Sequence, residues 1–222
     1  MKLLVVGGGG REHALVWKLK QSGRVKAIHC VPGNAGIEGI ATCHDMSVDD
    51  VSGLIRLCIS LQIDLVVVGP ELPLTLGLVD ELDKVGIKAF GPSRDAAILE
   101  GSKAFMKNLC KKYDIPTARY ERFTDVVAAT TYLESFEGND VVVKADGLAA
   151  GKGVIIPQSK DEARAAVKMM LEEQKFGRAS EKIVIEEFLD GVKSSVFALT
   201  DGEHILPFGT AEDHKRAYDK DK

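Results

Sequence analysis

Four short apolar runs, each closed by glycine, limit the folds open to this chain. They are Lys2–Val6 before four glycines, Val25–Val31 before Pro32-Gly33, Ile63–Val68 before Gly69-Pro70, and Ile87–Phe90 before Gly91-Pro92. Lys2–Val6 and Ile63–Val68 are rich in Val and Leu, the pattern of buried strands, and the other two read as shorter or more mixed strands. Segments of helical spacing lie between them. Arg11–Gln21 follows the first run, and Leu74–Val85, closed by Gly86, follows the third. Between the second and third, Ser47 reads as a helix cap ahead of Val51, Leu54, Ile55, Cys58 and Ile59. The glycine-rich stretch Pro32–Gly39 between them has no periodicity and reads as loop. Strands alternating with helices predict a doubly wound parallel α/β sheet over roughly residues 1–100.

The pattern then changes. Ala96–Tyr113 is helical with a break near Gly101 and ends at Asp114-Ile115-Pro116, so residues 101–120 read as a helical linker. Its lysines, Lys103, Lys107, Lys111 and Lys112, suit a solvated face, except that Lys103 stands apart beside the break. From Tyr120 the order is strand, helix (Asp125–Phe136), strand (Val141–Lys144), loop, strand (Val154–Ile156), helix (Lys160–Gln174) and strand (Lys182–Glu187). This predicts a small α+β module over residues 121–188, an antiparallel sheet with helices on one face. Residues 189–222 begin another unit, with Val196–Thr200 and His204–Pro207 joined through an Asp201-Gly202 type I′ turn.

Composition excludes several classes. The chain has 222 residues, 45% hydrophobic and 28% charged, with a net charge of −4, which provides no general basic field for nucleic acid. No apolar run reaches membrane-spanning length. The four cysteines, Cys30, Cys43, Cys58 and Cys110, lack paired metal spacing and read as reduced core residues of a cytoplasmic protein.

The chemistry concentrates in Val141–Val154, VVVKADGLAAGKGV. Lys144 ends a buried strand and can send its ammonium into a cleft. The loop after it has three glycines, three alanines and a second lysine, Lys152, so its backbone can approach a polyphosphate closely. A plain hairpin with solvated lysines is the alternative. The amino-terminal strand–glycine–helix segment can also present a helix start to an anion, or be a tight turn alone. It lacks the third glycine of the dinucleotide fingerprint, and the second strand ends without an acidic residue, which disfavours NAD. Glu71 lies just past a parallel strand, where open α/β sheets bind ligands, and a solvated glutamate is the other reading. The strand ending Glu186-Glu187-Phe188-Leu189 can offer backbone groups and apolar walls to a flat heterocycle, or simply leave the core.

In this order, GGGGREHAL, PGNAG, VVVGPE, LEGSKAFMK, VVVKADGLAAGKGV, IVIEEFLDG and EDHKR resemble the glycinamide ribonucleotide synthetase family, ATP-grasp ligases also called phosphoribosylamine–glycine ligases. The resemblance runs the length of the chain. It implies ATP-dependent joining of glycine to 5-phosphoribosylamine in purine biosynthesis through a glycyl phosphate, giving glycinamide ribonucleotide, ADP and phosphate. By matching position it implies that Lys103, Lys144, Gly147, Gly151, Lys152 and Gly153 hold the ATP phosphates. Glu186, Glu187 and Leu189 would form the adenine hinge. Gly9, Gly10, Arg11 and Glu71 would face the phosphoribosylamine, and Asp213, Lys215 and Arg216 would serve the reaction itself. Two departures stand out. Lys193, which accepts no hydrogen bond, stands where the family usually places an acidic residue for the ribose hydroxyls. The family chain is also about twice as long, and its Mg2+ or Mn2+ ligands are expected beyond this sequence. The expectation is therefore a partial chain without ligase activity alone. A degenerate nucleotide-binding module and another ATP-grasp carboxylate–amine ligase are the alternatives.

Overall fold

The computed structural model describes residues 1–138, 140–149 and 152–212. They form two compact units, Met1–Glu187 and a second beginning at Phe188.

The first unit opens with β1 (Lys2–Gly7), α1 (Gly10–Lys20), β2 (Ala27–Pro32), α2 (Ala35–Glu38), β3 (Thr42–Cys43), α3 (Val51–Leu61), β4 (Leu65–Val68), α4 (Glu71–Thr75), α5 (Leu78–Lys84) and β5 (Lys88–Phe90). The strands make one parallel sheet in the order β3-β2-β1-β4-β5. The central strands β1 and β4 are buried on both faces, which is why they read as unbroken apolar runs, while the edge strands β3 and β5 are not. Leu4, Val6, Val66 and Val68 pack with Leu54, Cys58, Leu78 and Leu82 on one side. Val5, Val67, Ile28 and Cys30 pack with Val16 and Ile37 on the other. The expected doubly wound sheet is present. Burial pushes the Cys30 thiol up to about 12 and the Cys58 thiol to about 11, so both stay protonated.

Four local readings need correction. The cap of α3 is Asp50, not Ser47, because its carboxylate accepts from the Gly53 amide. The helix expected over Leu74–Val85 is two helices, parted where Gly77 takes φ +86°, a conformation open to glycine. The PGNAG stretch holds a short helix, because the Asn34 side chain accepts from the amides of Gly36 and Ile37. The edge strand β3 has only two residues, too few for a period to be read.

The chain continues through α6 (Arg94–Gly101), α7 (Lys103–Lys112), β6 (Tyr120–Phe123), α8 (Val126–Leu133), β7 (Val141–Ala145), β8 (Val154–Ile155), α9 (Lys160–Leu171), a 3-10 turn at Gly177–Ser180, and β9 (Ile183–Glu187). The break between α6 and α7 falls at Ser102, whose hydroxyl caps α7 through the Phe105 amide. The four strands make an antiparallel sheet in the order β6-β9-β7-β8. Val141, Val143, Ala145, Ile183 and Ile185 face a core shared with α8 and α9. Strand alternation sends Val142, Lys144, Val184 and Glu186 to the opposite face, and α7 contacts β9.

The second unit contains β10 (Ser194–Thr200) paired antiparallel with β11 (Ile205–Glu212). The expected two-residue type I′ turn is instead a four-residue loop, 201–204. The Asp201 carboxylate organises it by accepting from the amides of Glu203 and His204. The pairing carries a register shift between Phe197 and Ala198 and runs from Ser194 opposite Glu212 to Thr200 opposite Ile205, further than expected.

Candidate functional site

Sheet order reverses between β1 and β4. Ligands of open α/β folds bind beyond the carboxyl ends of strands at such a point. Glu12, 4% exposed, is the pivot there. Its carboxylate accepts from the Gly9 amide at 2.8 Å and from Arg11 Nε at 3.0 Å. Arg11 Nη1 in turn lies 3.3 Å from Glu71 Oε1. The glycines make the room: a Cβ on Gly69 would stand 2.2 Å from Glu12 Oε1, and one on Gly7 would stand 2.5 Å from Glu12 Cγ. The loop after β2 packs against the same turn, with Asn34 Nδ2 donating to the Gly8 carbonyl at 2.9 Å.

The structure therefore brings Gly9, Gly10, Arg11 and Glu71 together, with one change from expectation. The Gly9 amide is occupied by Glu12, so it does not stand ready for a phosphate. Glu12 stands at one of the positions where the dinucleotide fingerprint would have its third glycine. Its capping-box position, three residues after Gly9, is the sequence signal for it.

The second half of the site is built on the polar face of the antiparallel sheet. Glu186, 5% exposed, lies between two lysines. Lys107 Nζ is 2.9 Å from its Oε2, and Lys144 Nζ is 2.8 Å from its Oε1. Lys107 does not lie on the solvated face that the lysine pattern of this helix predicts, because it is 3% exposed. Its other donors go to Thr117 Oγ1 at 2.7 Å and the Ala118 carbonyl at 3.3 Å. The available signal was its spacing four residues after Lys103, which puts both on one side of α7.

Asp146, also unflagged in the sequence, ties the lysine strand to α7. Its Oδ1 accepts from the Ala104 amide at 2.7 Å, and the Ser102 hydroxyl lies 3.1 Å from both carboxylate oxygens. A carboxylate at a helix start is favoured by the exposed amides and the helix dipole. This clasp places Lys103 Nζ 3.3 Å from the Gly147 carbonyl and 3.5 Å from that of Asp146. Burial lowers the Lys103 pKa below the ordinary lysine value, opposed by Asp146 and Glu100 and reinforced by Lys144. A lysine with a depressed folded pKa holds its proton at a cost below that pKa. The cost is relieved as pH rises toward the unfolded value, or when an anion arrives.

The glycine-rich loop is tighter than expected. The Gly147 amide donates to Ala179 at 3.2 Å, and a Cβ there would lie 3.0 Å from the Ala179 Cα. Gly147 thus serves a close passage rather than offering a free donor. A Cβ on Gly153 would stand 2.7 Å from that of Ala149, so Gly153 lets the two arms of the loop meet. The Lys152 amide closes a turn onto Ala149 at 2.9 Å.

Lys103, Glu71, Glu100, Leu148, Ala149, Gly153 and Val154 line one cavity of about 580 Å³ with Pro70 and Leu72. The end of the parallel sheet and the glycine-rich loop thus open onto a shared space. The Glu187 amide is held by the Arg119 carbonyl at 2.9 Å, and its carboxylate accepts from the Arg119 amide at 2.8 Å. The Glu187 amide and carboxylate are thus engaged with Arg119 and are not offered to a hinge. Leu189 lies in the second unit and is 65% exposed. Gly151, Asp213, Lys215 and Arg216 lie outside the described residues. Among the described residues no three His, Cys, Asp or Glu side chains come together to hold a metal ion, and no helix is long and apolar enough to cross a membrane.

Residues 1–100 match the model of the phosphoribosylglycinamide synthetase N domain, and residues 101–222 that of the phosphoribosylglycinamide synthetase ATP-grasp (A) domain. The phosphoribosylamine–glycine ligase of Caldanaerobacter subterraneus subsp. tengcongensis is 47% identical over 222 residues, covering all of this chain and 53% of that protein. The crystal structure of phosphoribosylamine–glycine ligase from Thermotoga maritima superposes with a TM-score of 0.80 at 30% identity, over 100% of this chain and 52% of that one. Staphylococcus aureus N5-carboxyaminoimidazole synthetase complexed with ADP shares the fold, with a TM-score of 0.73 at 15% identity over 97% of this chain and 55% of its own. The chain spans about half the length of the curated relatives it matches. On matches that together cover every residue, this chain belongs to the phosphoribosylglycinamide synthetase family.

Proposed function

We propose that this chain supplies the substrate-side domain and the nucleotide lid of an ATP-dependent ligase joining glycine to 5-phosphoribosylamine. The observation that carries this reading is the shared cavity, in which Glu71 of the parallel-sheet edge and Lys103 with the glycine-rich loop face one space. In the proposed reaction a glycine carboxylate oxygen attacks the γ-phosphorus of ATP and ADP leaves. The ribosylamine nitrogen then attacks the glycyl carbonyl, releasing phosphate and a proton. A carboxylate is a poor acyl donor to an amine until it is activated in this way, and the acyl phosphate must be kept from water.

Lys103 and Lys144 neutralise phosphate charge, in keeping with catalysis by positioning and electrostatics. The loop from Gly147 to Gly153, with Lys152, covers the phosphates. The Glu187 carbonyl and Leu189 backbone hold the adenine. Arg11 and Glu71, oriented by Glu12, face the phosphoribosylamine. Asp213, Lys215 and Arg216 keep the reacting-centre role that the family implies. ATP would enter with Mg2+ or Mn2+, which adds charge neutralisation, and the reading places the protein in the cytoplasm.

The test is a fusion of residues 1–222 to the second half of the Caldanaerobacter relative. With ATP it is expected to form glycinamide ribonucleotide from glycine and phosphoribosylamine, while the 222-residue chain alone forms none. Turnover of other acid–amine pairs in preference to this one would contradict the reading.

A further inference from the structure

We propose that Lys107 is a positioning residue that holds the Glu186 charge in place so that Lys144 is free to change partners when phosphate arrives. This rests on the nucleotide reading above and goes beyond it, because Lys107 itself touches no ligand in it.

The two lysines on Glu186 are not equivalent. Lys107 is sealed, with its side chain 3% exposed, while that of Lys144 is 26% exposed. An ammonium has three donors. All three of Lys107 are committed, to Glu186, Thr117 and Ala118, and its charge also lies 5.3 Å from the centre of the Tyr120 ring. Among the described residues Lys144 has one partner, Glu186. Donors therefore remain on the more exposed ammonium and none on the sealed one.

A buried carboxylate left without a cation is strongly disfavoured. Were Lys144 the sole partner of Glu186, each turn of its ammonium toward a phosphate would expose that penalty, and binding would be weakened accordingly. With Lys107 fixed on Oε2, the carboxylate stays compensated while Lys144 on Oε1 reorients or bridges. In the free protein the same arrangement holds Lys144 toward the sheet rather than loose in solvent.

The experiment measures binding of a fluorescent ATP analogue with Mg2+ to the 222-residue chain and its variants, with a thermal melt of each. Lys107→Met should weaken binding by about tenfold, the equivalent of about 1.4 kcal/mol. Glu186→Gln placed on top should bring the affinity to that of Glu186→Gln alone, above that of Lys107→Met, since a neutral amide needs no holding. A merely structural role for Lys107 would give no such rescue. If Lys107→Met does not fold, Lys107→Met/Glu186→Gln is compared with Glu186→Gln alone. Equal affinity is expected, and a further drop overturns the proposal. Wild-type binding with an unaffected Lys107→Met, or a double variant as weak as the single, also overturns it and leaves the nucleotide reading standing. Absence of binding by the folded wild-type chain overturns both.

Discussion

Glu186→Ala is expected to destabilise the first unit by about 3–5 kcal/mol, the cost of leaving a buried charge without its partner. Lys107 is 3% exposed, and Glu186 provides the only carboxylate bonded to it among the described residues. Thr117 and Ala118 would still accept two hydrogen bonds, but neither carries charge. At this chain length the loss corresponds to a fall in Tm of roughly 6–20 °C. Glu187→Ala is the control. Its carboxylate accepts from the Arg119 amide, and losing one such bond costs about 1 kcal/mol. Thermal or urea unfolding of the two variants checks the ordering. Equal, small losses would mean that Lys107 reaches water and that the polar face of the sheet is less closed than described.

Lys144→Met should act on binding instead. It removes one partner of Glu186 but leaves Lys107 in place, so stability changes little. A hydrogen bond to a charged group contributes about 1.5–3 kcal/mol, so the variant should bind an ATP analogue about 10- to 100-fold more weakly. Titration of the folded variant beside the wild type reads this directly. Unchanged affinity would remove Lys144 from the phosphate role. The pair of predictions separates two residues that touch one another, because they differ in exposure.

Much of the fold was legible because β-branched runs ended in glycine wherever a strand left the sheet. Lys2–Val6 and Ile63–Val68 announced themselves in this way. The errors came where a side chain outweighed a pattern. Asp50 rather than Ser47 capped α3, and Gly77 split a continuous helical period because a left-handed residue ends a helix even within apolar spacing. At the site, Lys144 and Lys103 were visible as lysines placed at a strand end and a helix break. Lys107, Asp146 and Glu12 were not, since their importance lies in partners 42 to 79 positions away or in glycine-made space. Lys107 and Glu186 are each ordinary in one dimension, and only the packing of α7 on β9 makes them a buried pair.

In the proposed reading, the ammonium groups of Lys103 and Lys144 face nucleotide phosphates. Amine acetylation of the folded chain, read by mass spectrometry lysine by lysine with and without ATP, tests it most directly. ATP is expected to slow modification of Lys103 and Lys144 severalfold and to leave the exposed Lys88 unchanged. The same rates at Lys103 and Lys144 under saturating ATP would contradict the account.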